Sequence, residues 1–415
     1  MDQRSAPARA RTPLRRADIP QARPARRTSS AGTVLRAVLD HGPVARSTVA
    51  RLTGLSPASV TGICTELLAR GLLREAPETA GPRGIGRPHI PLDIDTGRHL
   101  VCAAHVAVPH TTLALLDLRG RVVAEERRPH RGLTPDQVLG ALAARLPGLL
   151  AAHGGGERSV LGLGVATGGW VDPGSGTVVE HPLLGWRDVP VRRLLAEATG
   201  LPVHVDGHSR ALVHAEQLFG ETRARASVAH LFVGNVVDAA FATAGTVHHG
   251  PRSAAGAVAH LPVGGSAEPC SCGRTGCLQA AVSERTLLRR GAALGIGDGV
   301  SFAGLVALAV DGDPAAVSLF RERARLVGRA AALLLDVLNP EVLVVVEPGV
   351  SRLPQCLDDL RAEVRARSWV RRDPEHTVVV TSFPGAVLAT AGGAVLLDSL
   401  YTDPLGSPPW LSHAS

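Results

Sequence analysis

Residues 41–73 read HGPVARSTVARLTGLSPASVTGICTELLARGLL, and this stretch decides the fold of the N-terminal part of the chain. Apolar residues at helical spacing predict a helix over Thr33–Asp40 and a shorter one over Ser47–Thr53. A turn follows at Gly54, and Ser56, with proline after it, is typical of a third helix start because a hydroxyl caps free backbone N–H groups. The side chains expected to face inward are Val49, Ala50 and Leu52 on the second helix and Val60, Ile63, Leu67 and Leu68 on the third.

This pattern is that of a helix-turn-helix, in which the last helix enters the major groove of DNA. Residues 72–74 and the Gly/Pro/Arg-rich loop that runs to Pro91 predict a two-stranded wing. Small polar side chains on the outer face of the third helix suit contacts to base edges or phosphates, and flanking arginines suit phosphates. The alternative is a small structural bundle of three helices. The candidate DNA-contacting residues here are Arg46, Arg51, Ser56, Ala58, Ser59, Thr61, Gly62 and Thr65.

The loop GPRGIGRPH (81–89) supplies a further DNA-contacting candidate, Arg87. Because Arg87 stands between glycine and proline, it is expected to be extended, and an extended arginine suits a narrow minor groove. The alternative is that the loop only links two domains.

The basic surplus of the chain lies in its first quarter. Residues 1–98 contain sixteen arginines and eight acidic residues, a net charge of +8, whereas the whole chain of 415 residues carries +7. A local surplus of this kind suits a polyanion, because arginines that neutralise phosphates release condensed counterions. The alternative is a solvated tail, since residues 1–30 are rich in Arg, Pro, Ala and Ser and are expected to be disordered.

Composition limits where the protein acts. No apolar core follows the first arginines, so no secretory signal is predicted, and the longest apolar stretch, Ala330–Val346, is interrupted by charged residues and proline. Six cysteines in a chain of this length do not form a disulfide framework and indicate a reducing compartment. We therefore expect a cytoplasmic protein.

The segment HLPVGGSAEPCSCGRTGCLQ (260–279) has the composition of a metal site. Three thiolates and one imidazole match a closed, tetrahedral structural zinc site, and the glycines permit the tight turns that bring the sulfurs together. The alternative is a set of reactive redox thiols. The predicted ligands are His260, Cys270, Cys272 and Cys277, and the cysteines expected in the core are Cys64, Cys102 and Cys356.

Beyond residue 98, strands alternate with helices, which predicts an α/β body with sheets covered by helices. At this point the chain resembles the ROK family (repressors, open reading frames and sugar kinases), specifically its repressor branch. The resemblance rests on the helix-turn-helix, the segments GRPHIPLDID, GLGVATGGWVDPGSGTVVEHPLLGW, LNPEVLVVV and PGAVLATAGGAVLL, and above all the cysteine segment. It implies a winged helix-turn-helix domain followed by a two-lobed α/β actin-like domain of the ribonuclease H-like, hexokinase type.

The resemblance also implies domain boundaries. They are a basic tail over 1–30, a DNA-binding domain over 31–91, a first lobe over 92–212 completed by 384–401, a second lobe with the zinc loop over 213–383, and a tail over 402–415.

The departures from the family's kinases favour a regulator. The phosphate loop Asp-x-Gly-Gly-Thr is replaced by residues 105–109, HVAVP, which lack the carboxylate and both glycines. The second phosphate loop reads GNVVDAAF, where Asp238 is expected to repel a phosphate, and Glu347-Pro348 replaces glycines of the nucleotide motif. The family's catalytic Asn-Asp pair falls on Gly207-His208, so no catalytic residue is predicted.

The expected sugar pocket is altered too, because family glutamates fall on Ala257 and Gln279. The candidate effector residues are Gly207, His208, Arg210, Ala257 and Gln279; His208, Arg210 and His214 indicate a cationic cleft for a phosphorylated or acidic ligand. The alternative is that these are ordinary polar residues on one face of a helix.

We therefore expect a transcriptional regulator, a repressor linked to carbohydrate metabolism, that binds double-stranded DNA as a homodimer or homotetramer and responds to a small-molecule or protein effector. Two alternatives remain: an ATP-dependent sugar kinase, and a body that serves only as a docking surface for another protein.

Overall fold

The computed structural model describes residues 28–77, 90–130, 132–154, 158–297 and 299–406. Within these ranges no single helix is long and apolar enough to span a membrane. Phe302–Val310 and Pro314–Leu338 meet the length and composition criteria only when taken together, and they are bent by 105°.

The N-terminal unit, residues 28–77 and 90–94, consists of three helices and a two-stranded antiparallel sheet. Its elements are α1 (Ser30–His41), α2 (Arg46–Thr53), α3 (Pro57–Ala69), β1 (Leu73–Glu75) and β2 (Leu92–Ile94). The predicted cap is confirmed, since the Ser56 side chain accepts a hydrogen bond from the Ser59 N–H. The predicted inward position of Leu52 is wrong: its side chain is 43% exposed. Helix α2 has barely two turns, and Val49 and Ala50 already occupy its inner side.

The body, residues 95–406, begins with a five-stranded sheet in the order β10-β6-β3-β4-β5. Strands β10 and β3 are parallel to β6, whereas β4 and β5 return as antiparallel hairpins. A three-stranded sheet, β7-β8-β9, packs beside it. The elements are β3 (His99–Val106), β4 (His110–Leu116), β5 (Val122–Pro129), α4 (Pro135–His153), β6 (Ser159–Thr167), β7 (Trp170–Asp172), β8 (Thr177–His181), β9 (Trp186–Val189), α5 (Val191–Thr199), β10 (Val203–Gly207) and α6 (His208–Phe219).

A second five-stranded sheet has the order β13-β12-β11-β14-β15 and is covered by the longest helix, α10. Both sheets thus combine a parallel core with antiparallel hairpin strands, as the alternating pattern predicts. The elements are β11 (Ser227–Val233), β12 (Val237–Thr243), β13 (Thr246–Val247), α7 (Leu278–Val282), α8 (Glu284–Ala293), α9 (Phe302–Val310), α10 (Pro314–Leu338), β14 (Val342–Val346), α11 (Pro348–Arg352), α12 (Pro354–Arg367), α13 (Pro374–Thr377), β15 (Val378–Val380) and α14 (Val387–Thr402).

Two helices tie these parts together. Helix α14 returns to the first sheet, packs on β3 and β6, and contacts α1 through its last turn. Helix α6 spans residue 212, where the first lobe was expected to end. It packs against α14 on one side and against β11 and β12 on the other.

A fully buried ion pair lies in the second lobe. Arg323 on α10 donates to Glu347 at 2.6 Å, and neither side chain is exposed to solvent. Arg323 also donates to the carbonyls of Val282 and Val233, and the second oxygen of Glu347 accepts from the N–H of Val350 at the start of α11. The residue that replaces a nucleotide-motif glycine therefore has a structural role here.

Replacing Arg323 with methionine is expected to lower the free energy of unfolding by about 3–5 kcal/mol, because Glu347 would remain buried without its cation. The matched control is Arg193→Met, whose partner Glu197 lies one helical turn away in solvent; that change is expected to cost about 0.3–0.5 kcal/mol. Urea unfolding of both variants measures the difference. Equal losses would contradict the assigned role.

Candidate functional site

The outer face of α3 carries the small side chains that the sequence predicts. Ser56, Ala58, Ser59, Thr61, Gly62 and Thr65 are all exposed. The hydroxyls of Thr61 and Thr65 donate to backbone carbonyls of the preceding turn at 2.8 and 2.9 Å, so their oxygens face outward as acceptors. The helix thus presents a surface without bulky groups, which permits close approach of a ligand backbone.

Two of the predicted arginines flank this face. Arg51 on α2 is exposed, whereas Arg46 lies 3.4 Å from the carboxylate of Glu75 on the first wing strand. Such a half-exposed pair is weak, so it leaves Arg46 available to a stronger anion. Arg87 and its loop lie outside the described residues.

The N-terminal unit is attached to the body by two acidic residues. Asp40 at the end of α1 pairs with Arg36 and with Arg225 of the body, the latter at 2.8 Å. Asp93 on β2 pairs with Arg119 of the body. These contacts, together with a shared apolar cluster that includes Leu35, fix the unit against α14 and the end of α6.

The four predicted metal ligands converge. Their ligand atoms lie within 4.8 Å of one another. The sulfurs of Cys272 and Cys277 are 3.6 Å apart, and Cys270 Sγ is 3.4 Å from His260 Nδ1. Around a tetrahedral zinc ion with Zn–S bonds of about 2.3 Å, ligand atoms lie about 3.7 Å apart, so this donor set fits zinc.

The surroundings of Cys272 favour the thiolate that a metal requires, whereas burial and the neighbouring thiols raise the pKa of Cys277 to about 11. The guanidinium of Arg274 donates to Cys272 Sγ at 3.5 Å and lowers the pKa of that thiol to about 6. The loop is joined to the second sheet at Gly256, which packs against the carbonyl of Ala239. Only glycine suits this position, because its φ is +90° and a side chain would clash with that carbonyl. A zinc ion here would hold the loop in place, because all four positions are protein ligands.

A small cavity, hereafter the cleft cavity, lies between the two lobes. Its volume is about 100 Å³, well below the roughly 300–1,000 Å³ of sites for drug-sized ligands. It is lined by His105, Val106, Ala107, Val108, Pro109, His110, Gly168, His181, His208, Phe232, Gly234, Asn235, Val236, Glu284 and Leu388.

The two altered phosphate loops meet at this cavity. The segment 105–110 forms one wall, and residues 234–236 form another. Val236 packs against Gly168 of the first lobe, where a side chain would come within about 3.0 Å of the valine. Asp238 does not project as a free charge, since its carboxylate lies 3.0 Å from Nε2 of His208. Bulky groups thus occupy the space that a phosphate-binding loop leaves open.

The predicted effector residues do not converge on one pocket. Of the five, only His208 lines the cleft cavity. Arg210 is buried and pairs with Asp206 at 2.6 Å, because an acidic residue one turn earlier is the nearest partner for its guanidinium. His214 pairs with Asp398 at 2.8 Å. The prediction that Arg210 and His214 provide a free cationic lining is therefore wrong.

The remaining candidates, Gly207, Gln279 and Ala257, form local hydrogen bonds with the backbone or lie at the surface. The Gly207 N–H donates to Asp206, the side chain of Gln279 accepts from the Val237 N–H, and Ala257 is exposed. Sequence reasoning missed the ring of histidines, His105, His110 and His181, that surrounds His208. The sequence carries a signal for this ring at position 105, where a histidine stands in place of the aspartate of the family's kinases.

Comparison with known proteins agrees with this architecture. Residues 103–399 match the ROK family. The chain belongs to the ROK family. It is 34% identical over 395 residues to a transcriptional regulator of Mycobacterium tuberculosis, an alignment that covers 91% of this chain and 87% of that protein. It is 25% identical over 387 residues to the DNA-binding transcriptional repressor Mlc of Escherichia coli, covering 91% and 95% of the two chains.

Solved structures of ROK proteins share the fold. A ROK family transcriptional regulator homologous to E. coli Mlc superposes with a TM-score of 0.75 at 23% identity and covers 90% of this chain and 96% of its own. A ROK glucokinase from Streptomyces griseus superposes with a TM-score of 0.63 at 24% identity and covers 71% of this chain and 98% of its own. The ROK fold is therefore shared by regulators and kinases.

Burial favours the neutral form of three histidines that line the cleft cavity of this ROK chain, namely His105, His110 and His181. Desolvation, and then repulsion from His208, lowers the pKa of His181 to about 4. Burial and neighbouring cations also lower the pKa of His105 well below its usual value and lower that of His110. The nitrogens His105 Nδ1, His110 Nε2 and His181 Nε2 have no hydrogen-bond partner within the described part of the chain.

We expect the purified protein to contain about one zinc ion per chain, and Cys272→Ser to lose most of it, because a hydroxyl is a poor substitute for a thiolate. Elemental analysis by mass spectrometry measures the content. Ser271→Ala, an exposed neighbour between two ligands, is the control and should retain the metal. Zinc retained at full content in Cys272→Ser would contradict the assigned ligand set.

The cavity histidines predict acid sensitivity. The pKa of His181 falls from 6.5 when unfolded to about 4 when folded, so the unfolded state binds more protons and stability is lost as pH falls between these values. From pH 7 to pH 5, His181 alone contributes a loss of about 2 kcal/mol. His181→Gln should remove that part of the loss in urea unfolding, whereas exposed His153→Gln should not. Parallel pH profiles for both variants and the unchanged protein would exclude this role.

Proposed function

We propose that this ROK protein is a DNA-binding transcriptional regulator that acts as a repressor and has no kinase activity. The observation that carries the proposal is a set of three helices and a wing whose capped third helix exposes only small groups, joined rigidly to a ROK body. The relatives named above are regulators, and others are named xylose repressors, which favours genes of carbohydrate metabolism as targets.

Coverage of the known structures supports a regulator over a kinase. The regulator superposes over 90% of the chain and the glucokinase over 71%, and the difference is about the size of the N-terminal unit. The cleft supports the same conclusion, because Pro109 removes a backbone donor from the first loop and Val236 fills the second against Gly168. A triphosphate needs several converging N–H groups at these places.

In this proposal α3 lies in the major groove and contacts bases through Ser56, Ala58, Ser59, Thr61, Gly62 and Thr65. Arg46 and Arg51 bind flanking phosphates, and Arg87 enters the minor groove. A homodimer or homotetramer presents two such helices to half-sites of a pseudo-palindromic operator, about 34 Å apart. The DNA-binding domain then extends three residues beyond its expected bounds of 31–91, because β2 pairs with β1, and the two lobes correspond to 95–212 with 384–401 and to 213–383, with zinc stabilising the second lobe and an effector acting on the body.

The test begins with genome-wide mapping of the full chain on DNA, followed by footprinting of the sites found. Ser59→Glu with Thr61→Glu should abolish specific protection, because each lost base contact costs about 1–3 kcal/mol and the new carboxylates repel phosphates. The matched control is Ala141→Glu with Ala144→Glu, two exposed positions on α4. Undiminished protection by the α3 variant would refute the assignment of the contacting helix, and sugar phosphorylation by ATP in a coupled assay would refute the absence of kinase activity.

A further inference from the structure

The cleft cavity combines two features that point to a ligand. It is closed on several sides by imidazole rings from four separate elements: His105 on β3, His110 on β4, His181 on β8 and His208 on α6. His105, His181 and His208 are at most 2% exposed, yet each has a ring nitrogen without a hydrogen-bond partner within the described residues. Buried polar atoms are normally hydrogen-bonded, so these atoms indicate an occupant with polar groups.

We propose that this cavity binds a small oxyanion, a carboxylate or phosphate group, and that binding takes up a proton on His105. Because we take this cavity to be the effector site of the regulator, the inference rests on the proposed function.

The hydrogen-bond pattern decides which nitrogens donate. His181 Nδ1 accepts from the backbone N–H of Leu184, so its proton is on Nε2, the atom without a partner. That N–H is a ready donor to an anion.

His208 and His105 form a chain. His208 Nε2 lies 3.0 Å from the Asp238 carboxylate without forming a hydrogen bond to it, and the negative charge favours the tautomer with its proton on Nε2 and a lone pair on Nδ1. Nδ1 then accepts from Nε2 of His105 at 3.4 Å, so the Nδ1 of His105 carries a lone pair. A lone pair repels an oxyanion. Protonation at Nδ1 converts it into a donor and supplies a positive charge, and the anion stabilises that charge in turn.

The start of α6 adds to the attraction. His208 is the first residue of this twelve-residue helix, and Gly207 at its N-cap provides no side-chain cap. Because His208 lines the cavity, the positive end of the helix dipole lies beside it and favours an anion.

The two carboxyl groups nearby do not cancel this attraction. Asp238 is paired with His208, and Glu284 accepts from the amide of Asn235 at 2.7 Å. Burial raises the pKa of Glu284, which favours its neutral form. With about 100 Å³ available and apolar walls at Val106, Val108 and Leu388, the cavity suits a compact group rather than a hexose.

The pH dependence is set by every titratable group that faces or influences the cavity. These are His105, His110, Arg127, His130, His181, His208, His230, Asp238, Glu284 and Arg323. Because burial lowers the pKa of His105 well below its usual value and keeps this imidazole neutral, uptake of one proton on binding makes affinity rise about tenfold for each unit by which pH falls.

Calorimetric titration of the full chain with inorganic phosphate, acetate and glucose tests the proposal. The two anions distinguish a phosphate site from a carboxylate site, and glucose represents a neutral sugar. Repeating each titration in two buffers of different ionisation enthalpy measures proton uptake directly. We expect binding of at least one anion with uptake of about one proton, and affinity that increases as pH falls.

Two kinds of variant locate the site. His105→Gln keeps a donor but cannot take up the proton, so it should abolish proton uptake and weaken binding at least tenfold. Ala107→Phe fills the cavity and should block binding while every histidine remains. His153→Gln, on the exposed end of α4, should bind as the unchanged protein does. Circular dichroism of each variant verifies the fold.

The outcomes separate this inference from the proposed function. Failure of both anions to bind, anion binding without proton uptake, glucose binding in their place, or unchanged binding by Ala107→Phe would each overturn the site. DNA binding is measured independently by the footprint, so a protein that binds the anion but protects no DNA would refute the proposed function and leave the site intact.

Discussion

The close packing of α14 on the first sheet is the constraint on which the rest of the structure depends. A side chain at Gly392 would meet the backbone oxygen of Ala104 at 2.7 Å, so only glycine lets the helix lie directly on β3. This contact fixes the far end of the helix, where the Thr402 carbonyl accepts from the Ser29 N–H at 2.9 Å and Tyr401 packs beside α1. The orientation of the N-terminal unit is therefore decided by a contact in the middle of the body, far along the sequence.

The sequence predicted those features whose determinants are local. The cap at Ser56, the alternation of strands and helices, and the cluster of His260 with three cysteines all depend on residues that are close in the chain or bear a specific spacing. The ring of histidines in the cleft was not predicted, because its members come from β3, β4, β8 and α6 and meet only once the first five-stranded sheet, the three-stranded sheet and α6 are packed together. Periodicity shows that His105 is buried but not what it faces.

The predictions for Arg210 and His214 failed for the same physical reason. Each side chain pairs with a nearby carboxylate and is therefore not available to the cleft. Arg210 was expected in the cleft because it lies on the helix that carries His208. It binds instead to Asp206 one turn earlier and to the carbonyls of Val171 and Ser253, which occupy at least one donor on each of its three nitrogens. The same rule explains His214 and Asp398. His105 and His181 differ, because each keeps one buried ring nitrogen without a hydrogen-bond partner among the described residues.

Helix α6 connects the cleft cavity to the N-terminal unit. His208 at its first turn lines the cleft cavity, while Gln217 near its last turn accepts a hydrogen bond from Arg36 of α1. Its twelve residues span about 18 Å. Asp40 pairs with Arg36 and with Arg225 beyond the end of α6, so the same region of α1 is also held to the body by ion pairs. The cleft cavity and α1 are therefore connected by one continuous helix and not by a chain of independent side chains.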